Sequence, residues 1–305
     1  MATASIGTRS GSAPRARPFR NVSVMGVLVA LGLIAYYAVV FIYPFYRAVW
    51  LSFHNWDFIV DPIPVGTRNY QRAFEDEYFW KALKVTVMFS VAEIAAGIFA
   101  SFLVALGVSQ LRGGRLQRAF LGIFYLPVII PSIVTVLLWR FLYLPSGGAF
   151  NSMLGKLGIP PQPFLNSPDQ ALWCIVLMVV WANVGGSAII FFAGINEVST
   201  DLLEASRLDG AGLWRQTIDI IVPIMKPIFF YQIVVSVIGT VQMFEQFYLL
   251  TGPAFSTRTL AVYTYDLGFK TLSLGYGAAV SILIFLLLLI ATAVQFRGFL
   301  MARGD

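Results

Sequence analysis

Residues 196–226 read NEVSTDLLEASRLDGAGLWRQTIDIIVPIMK and separate two long apolar runs. Ser199 and Thr200 can cap a helix N-terminus, and apolar residues follow at helical spacing. Gly210 stands where this helix would end, because glycine readily takes the left-handed conformation of a C-terminal cap. A second amphipathic stretch covers 213–223, with its proline predicted to end it. The segment therefore predicts a short helix, a glycine turn and a second helix.

The chain around this segment has the composition of a membrane protein. Of its 305 residues, 58% are hydrophobic and 12% are charged, with a mean hydropathy of +0.77. Soluble domains usually carry about 25% charged residues. The net charge of +6 does not indicate nucleic acid as a partner, because the cations lie in short loops beside apolar runs. The composition predicts an all-α integral membrane protein with the lipid bilayer as its surroundings.

Apolar runs of about 20 residues, each long enough to cross a bilayer as a helix, recur six times. The predicted spans are 22–46, 82–108, 119–142, 171–195, 226–250 and 276–297. The predicted organisation is a basic tail at 1–21, a transmembrane domain at 22–300 that contains a loop at 196–225, and a short C-terminus at 301–305.

The distribution of Lys and Arg predicts the orientation of the spans. These residues are about twice as dense in the tail, 109–118, 196–226 and 296–305 as in the remaining loops. Because loops rich in Lys and Arg stay in the cytoplasm, both termini are predicted to be cytoplasmic.

Polar residues inside the spans are candidates for a translocation path. A charged side chain at mid-membrane costs at least about 2.5–3.5 kcal/mol and usually faces a bundle interior or a water-filled cavity. Aromatic rings belong with them, since sugars are bound by stacking and by polar groups. Hydrogen bonding between helices is the alternative throughout, and for Asn183 it is the preferred interpretation. The path candidates are Glu93, Asn183, Gln242, Phe244, Glu245, Gln246 and Tyr248.

Three strings in the loop at 196–225 resemble the EAA motif of permease subunits of ABC importers. They are Glu204-Ala205-Ser206, Asp209-Gly210-Ala211 and Ile220-Ile221-Val222-Pro223, and Gly210 and Pro223 keep the spacing of the motif. Further strings, Val65-Gly66, Asn69-Tyr70, Phe79-Trp80 and Leu250-Thr251-Gly252-Pro253, are similar to carbohydrate-type permeases. The long loop before the second span favours the maltose/glycerol-phosphate subfamily. The resemblance covers about 20–300, and we refer to residues 196–225 below as the coupling loop.

The resemblance implies a six-transmembrane-helix type I ABC importer permease fold with a cytoplasmic coupling helix, in a bacterial or archaeal inner membrane. It implies three kinds of partner: a second permease, two ATPase subunits and an extracytoplasmic solute-binding protein. The chain would form half of the pathway for a carbohydrate or related solute, by alternating access. The residues expected to couple it to the ATPase are Glu204, Ala205, Ser206, Asp209, Gly210, Ala211 and Pro223.

The chain departs from the family pattern at a few positions. Ser206 stands where the motif has its second alanine, and Val222 replaces the leucine before the proline. The turn after Thr251 is one glycine short, so the shape of that turn stays open.

Two other function classes fit the sequence less well. The chain has no GxxxxGK[ST] phosphate loop, so the energy for transport is expected to come from another chain. Its residues form no metal or nucleophile constellation, which disfavours an enzyme and leaves no cofactor to expect. An ion- or proton-coupled secondary transporter is disfavoured by the structured loop and by the lack of evident inverted halves with broken helices. For the solute, polyols and glycerol 3-phosphate are the alternatives to a carbohydrate.

Overall fold

A computed structural model describes residues 24–303 of the chain. The predicted tail at 1–21 and the last two residues lie outside the described part. The chain divides into two compact units, residues 1–47 and 48–305, and each is described by itself.

The first unit consists of helix α1 (Val24–Tyr37), a π-helical turn (Ala38–Ile42) and the start of α2 (Tyr43–Ser52). The predicted end of this span at residue 46 is therefore wrong, because the helix continues to Ser52. The π turn lets Tyr43 N–H bond to Ala38 O. Its shift in hydrogen-bond register lets the helix continue through Pro44, which has no backbone N–H.

In the second unit, the predicted helices at 82–108, 171–195 and 276–297 correspond to single long helices. They are α4 (Glu77–Ser109), α8 (Ala171–Asn196) and α15 (Leu274–Arg303). Helix α4 begins five residues earlier than predicted. Asp76 caps it, because its carboxylate accepts a hydrogen bond from Tyr78 N at 2.9 Å.

The predicted third span at 119–142 is broken. It consists of α5 (Gly114–Ile129) and α6 (Ser132–Leu142), which meet at an angle of 92°. Ile130 between them is extended, with ψ of 128°. The ring of Pro131 excludes the helical conformation from the residue before it, which explains the position of the bend.

The predicted fifth span at 226–250 is broken too. Helix α12 (Lys226–Val241) ends before residues 242–244, and a short helix α13 (Glu245–Leu249) follows. No proline lies at this break. Instead, the Glu245 carboxylate accepts a hydrogen bond from the Ser132 hydroxyl at the start of α6, so the two broken spans are joined at their breaks. The third predicted span is thus a bent pair of helices, whereas residues 226–249 still form one candidate span, with an interruption at 242–244.

The helices pack closely where small residues allow it. Ala105 of α4 is fully buried in a cluster with Phe191 and Ile195 of α8. Gly185 of α8 lies against α5, and a Cβ atom added there would come within 2.0 Å of Phe124 O. These contacts place α8 at the centre of the second unit, between α4 and α5.

Two ends of this unit differ in character. The loop side carries residues 109–114 and the coupling loop, which contains α9 (Thr200–Leu208), α10 (Leu213–Gln216), a π turn (Thr217–Ile221) and α11 (Val222–Ile224). The cap side carries a larger set of short elements. These are β1 (His54–Asn55), paired antiparallel with β2 (Ile63–Pro64), then α3 (Arg68–Glu75), α7 (Ala149–Lys156), a 3-10 turn (Phe164–Asn166), α14 (Leu260–Tyr265) and a π turn (Asp266–Lys270).

Asp76 joins three helices on the cap side. Its Oδ2 atom accepts hydrogen bonds from the hydroxyl of Tyr263 in α14 and from that of Tyr276 in α15, the latter at 2.6 Å. Burial by itself raises the pKa of Asp76. The hydrogen bonds from the two tyrosines and from backbone N–H groups lower it by more, so the pKa lies below its ordinary value. Asp76 thus holds three helices as a carboxylate.

Candidate coupling loop and translocation path

The coupling loop contains the predicted helix and glycine turn. Helix α9 begins after Ser199, although the Ser199 side chain makes no capping hydrogen bond, contrary to the capping prediction. At its end, Gly210 has a φ of +81°. Ala211 N bonds to Ser206 O at 2.9 Å and Gly210 N to Arg207 O at 3.0 Å. These two bonds form a Schellman motif, which requires a left-handed residue at the glycine position.

The second stretch of the loop does not end at Pro223 as predicted. Helix α10 passes into the π turn Thr217–Ile221 and then α11, and the interruption comes at Met225. Val222 N bonds to Thr217 O across the π turn, so the register shifts just before the proline. A π turn of the same kind lets the first helix continue past Pro44.

A residue that the motif did not single out holds the two halves of the loop together. Gln216 is buried, and its Nε2 atom donates to Leu203 O at 2.9 Å and to the Ser206 hydroxyl at 2.7 Å. Ser206 in turn donates to Leu203 O at 2.8 Å. The serine that replaces the alanine of the family pattern is therefore part of this contact. A glutamine within an amphipathic stretch was the available sequence signal.

The predicted coupling residues lie around an exposed turn. Ser206 and Ala211 are half-buried, and the other predicted residues, Glu204, Ala205, Asp209, Gly210 and Pro223, are exposed. Two large apolar side chains flank the turn, with Leu208 90% exposed and Trp214 66% exposed. Exposed apolar groups of this size on either side of a rigid turn are typical of a protein-binding surface.

Two adjoining cavities lie along α8, where the broken spans approach it. A cavity of about 360 Å³ is lined by the bend at Pro127–Ser132, by α6 and α8, and by Gln246. A second cavity of about 500 Å³ is lined by α4, α5, α8 and α12. Val128 and Asn183 line both cavities, so the two lie next to each other. In a bilayer, non-helical backbone is stable only within protein or beside a water-filled cavity, and the bend at Pro131 meets that condition.

The predicted path residues divide among several places. Asn183 and Gln246 line the first cavity, and Glu93 and Asn183 line the second. Asn183 is exposed and, within residues 24–303, no hydrogen bond joins it to another helix of this chain, so its role as a bridge between helices stays a prediction. Glu245 bonds to Ser132, and Gln242 lies at the break of the fifth span. Phe244 and Tyr248 stack on each other with ring centroids 5.1 Å apart.

Sequence reasoning missed several polar side chains that line the second cavity. Gln232 of α12 is buried there, and the rings of Tyr125 and Tyr231 lie beside it, with Ser236 and Thr240 further along the helix. Gln232, like Glu93, is a polar residue inside an apolar run, so the same reasoning could have selected it. The tyrosines carry no such signal, because aromatic residues are common in membrane spans.

Known proteins resemble the chain in sequence and in fold. Residues 93–298 match the family model described as binding-protein-dependent transport system inner membrane component. The permease UgpA of an sn-glycerol-3-phosphate transport system from Yersinia pestis bv. Antiqua is 32% identical over 92% of this chain and 96% of its own length. The trehalose/maltose permease MalF from Thermococcus litoralis is 31% identical over 90% of this chain and 92% of its own.

A solved structure shares the fold. A chain of a bacterial ABC transporter involved in the import of the acidic polysaccharide alginate superimposes with a TM-score of 0.80. It is 22% identical, and the superposition covers 90% of this chain and 94% of that chain.

Proposed function

The chain belongs to the family of binding-protein-dependent transport system inner membrane components, and from that premise we propose how it couples to ATP and which solute it carries. It is a permease subunit of an ABC importer. We propose that a second permease completes the pathway, that two separate subunits hydrolyse ATP, and that an external binding protein delivers the solute.

The observation that carries the coupling proposal is the rigid turn at Gly210 between two exposed apolar side chains. The Schellman motif and the Gln216 contact fix α9 relative to α10. Leu208 and Trp214 then project from this fixed turn. A rigid element with an apolar surface can transmit a movement of its partner, and we propose the ATPase subunit as that partner.

Co-purification tests this docking surface. Leu208→Gln should reduce recovery of the ATPase subunit with the permease by at least about tenfold, as expected for an interface anchor. Leu157→Gln is the matched control, since Leu157 is 75% exposed but lies on the cap side. Equal recovery from both variants would exclude Leu208 from the interface.

We propose that the loop side faces the cytoplasm, because the cation-rich loops lie there. The chain allows a direct test, since its single cysteine, Cys174, is buried. Cysteines introduced at Gly212 on the loop side and Lys156 on the cap side should react with a membrane-impermeant maleimide from opposite sides. Labelling of Lys156→Cys in intact cells, with Gly212→Cys protected until lysis, is the expected result. The reverse pattern would overturn the orientation.

We propose that the two cavities along α8 form this chain's half of the solute path. Their polar and aromatic lining, which includes Asn183, Gln232 and Tyr231, suits a hydroxyl-rich solute such as a carbohydrate. Asn183→Leu should lower the rate of solute uptake by reconstituted transporter while leaving assembly intact. Leu177→Asn, an exposed position one to two turns away on the same helix, serves as a control for helix integrity.

Uptake that depends on both ATP and the ATPase subunit tests the transport proposal as a whole. An ion- or proton-coupled secondary transporter would instead carry solute without the ATPase. Broken spans occur in such transporters, but their presence here does not outweigh membership of the importer family. The glycerol-phosphate relatives favour a second candidate solute, a polyol phosphate, whose charge is considered next.

A further inference from the structure

A cleft on the cap side contains three charged side chains. It has a volume of about 510 Å³ and lies between the turn after the fifth span and the π turn Asp266–Lys270. Arg258 forms an ion pair with Asp266 Oδ2, and Lys270 Nζ lies 2.7 Å from Asp266 Oδ1. Arg258 and Lys270 contribute +2 and Asp266 contributes −1, so the lining of the cleft carries a net charge of +1.

The anion of this cluster is buried, whereas the cations reach the cleft. The side chain of Asp266 is 7% exposed and that of Lys270 is 52% exposed. The hydrogen bond to Asp266 raises the pKa of Lys270, so the amine is charged at neutral pH. One ion pair uses one donor of the ammonium and part of the guanidinium, and both groups retain further N–H donors. The cluster therefore presents cationic donors and a covered carboxylate.

Aromatic rings flank both cations. Lys270 Nζ lies 5.0 Å from the centre of the Tyr248 ring, and Arg258 Cζ lies 4.4 Å from that of Phe255. Such rings hold a cation in place and exclude water from one side of it. Phe255 reaches its position through a strained turn, in which Ala254 has a φ of 52° and Phe255 a φ of 61°. Strained non-glycine residues concentrate at ligand sites.

The cleft adjoins the path along α8. Within the short helix α13, Gln246 lines the first cavity, while Phe247 and Tyr248 line the cleft. A solute that left the cleft along α13 would meet the cavity at the Pro131 bend. The same helix thus connects a positively charged entrance with the path inside the membrane.

We propose that this cleft binds an anionic group of the transported solute, a phosphate or a carboxylate, before the solute enters the path. The proposal rests on the function proposed above and adds the charge of the solute to it. An acidic side chain of the binding protein is the competing occupant. The solute is favoured because the cleft shares α13 with the membrane cavity and offers rings as well as cations, which suits a phosphorylated or acidic sugar or polyol.

The test uses the complete transporter in nanodiscs, at constant ionic strength, with two matched pairs of probes. The pairs are sn-glycerol 3-phosphate with glycerol, and glucuronate with glucose. Ligand binding raises the thermal unfolding midpoint of the protein. We expect at least one anionic probe to raise it and neither neutral probe to match that effect. Lys270→Gln should weaken the anion effect, with the apparent Kd rising at least about tenfold. Lys156→Gln, an exposed cap-side lysine outside the cleft, should leave it unchanged.

A second variant keeps the test independent of folding. Asp266→Asn raises the net charge of the cleft to +2, so it should tighten binding of the anionic probe, whereas a purely structural ion network predicts weaker binding. Equal effects of anionic and neutral probes, or an anion effect that Lys270→Gln leaves intact, would overturn the proposal.

The competing occupant, an acidic side chain of the binding protein, predicts a different result. If Lys270→Gln raised the concentration of binding protein needed for half-maximal ATPase activity and left anion binding unchanged, the cleft would be a docking site for that protein, and the proposal would be overturned. Failure of the transport proposal would look different, because ATP-dependent uptake would then be absent for every solute, charged or neutral.

Discussion

Two turns flank the fifth span, and they reach the same backbone conformation in opposite ways. The turn before the span places Gly210 in the left-handed region, where a glycine pays no steric penalty. The turn after it places Ala254 and Phe255 there instead, one glycine short of the family pattern. Hydrogen bonds from Gly252 N to the Thr257 hydroxyl and from Ser256 N to Pro253 O hold the second turn closed.

The difference separates a turn built for rigidity from one held by its surroundings. The first turn is stable in its own right, because its sequence matches its backbone. The second is also held by contacts with other elements, since the Phe255 ring lies 5.0 Å from that of Tyr78 in α4 and Arg258 pairs with Asp266 in the π turn. A turn of the second kind is easier to displace, and it lines the charged cleft for which we propose a solute-binding role.

The largest effect is expected when the first turn is given a non-glycine residue in the left-handed region, as the second turn has. Gly210→Val puts a β-branched residue into the left-handed region, at a cost of at least about 1–2 kcal/mol. We expect solute-stimulated ATPase activity of the assembled transporter to fall about tenfold or more.

Gly212→Ala provides the matched control for Gly210→Val. Gly212 is extended, with a φ of −72°, and a Cβ atom there would meet open space. Loss of activity in both variants to the same degree would show that the left-handed conformation is not what the turn requires.

The Gln216 contact offers a second test of the rigid turn. Gln216→Leu removes two hydrogen bonds between the halves of the coupling loop, each worth about 0.5–1.5 kcal/mol. Amide hydrogen exchange in α9 should therefore accelerate by roughly tenfold. Gln110→Leu, an exposed glutamine on the same side, should leave that exchange rate unchanged. Unchanged exchange in Gln216→Leu would mean that α9 is held by other contacts.

Acid should affect the surroundings of the second turn and spare the first. Because the pKa of Asp76 is below its ordinary value in the folded protein, its contribution to stability is complete above the ordinary value and disappears as the pH falls towards the lowered one. The thermal unfolding midpoint should drop between about pH 5 and about pH 2 by more in the parent protein than in Asp76→Asn. If the midpoints of both proteins changed with pH in parallel, Asp76 would not stabilise the cap side as a carboxylate.

The smallest effect is expected from relieving the strain in the second turn. Ala254 is exposed and left-handed, so Ala254→Gly should stabilise the folded protein by up to about 1 kcal/mol, less the entropy that glycine adds to the unfolded chain. Ala149→Gly, at an exposed helical position of α7, should instead destabilise it. A loss of stability in Ala254→Gly would show that the turn is not strained.

The sequence alone allowed the helical membrane architecture and the coupling loop to be predicted, because both depend on local patterns. Apolar length determines the spans, and the glycine and cap spacing determines the turn at Gly210. The break at Pro131 was predictable in principle, since a proline restricts the residue before it. The interruption after Val241 was not, because no proline marks it and the hydrogen bond beside it joins Glu245 to Ser132, 113 positions away in the chain.

The path and the cleft show the same limit. Glu93 and Asn183 could be selected because polar groups are rare inside spans. Tyr125 and Tyr231 could not, since only the packing of three helices places them at one cavity. The charges of Arg258, Asp266 and Lys270 were visible in the sequence, but their convergence in one cleft depends on the shape of a turn that the sequence left open.

The right-angle bend at Pro131 also constrains how the chain enters a bilayer during synthesis. Helix α5 has 16 residues and α6 has 11, so they extend over about 24 Å and about 16 Å, and neither half alone crosses a hydrocarbon core of about 30 Å. Lipid cannot satisfy the backbone groups freed at the bend. The pair gains its packing partner only when α8 is made, because Gly185 of α8 lies against Phe124 of α5. We therefore expect a nascent chain that ends before α8 to hold α5 and α6 less stably in the bilayer than one that extends past residue 196.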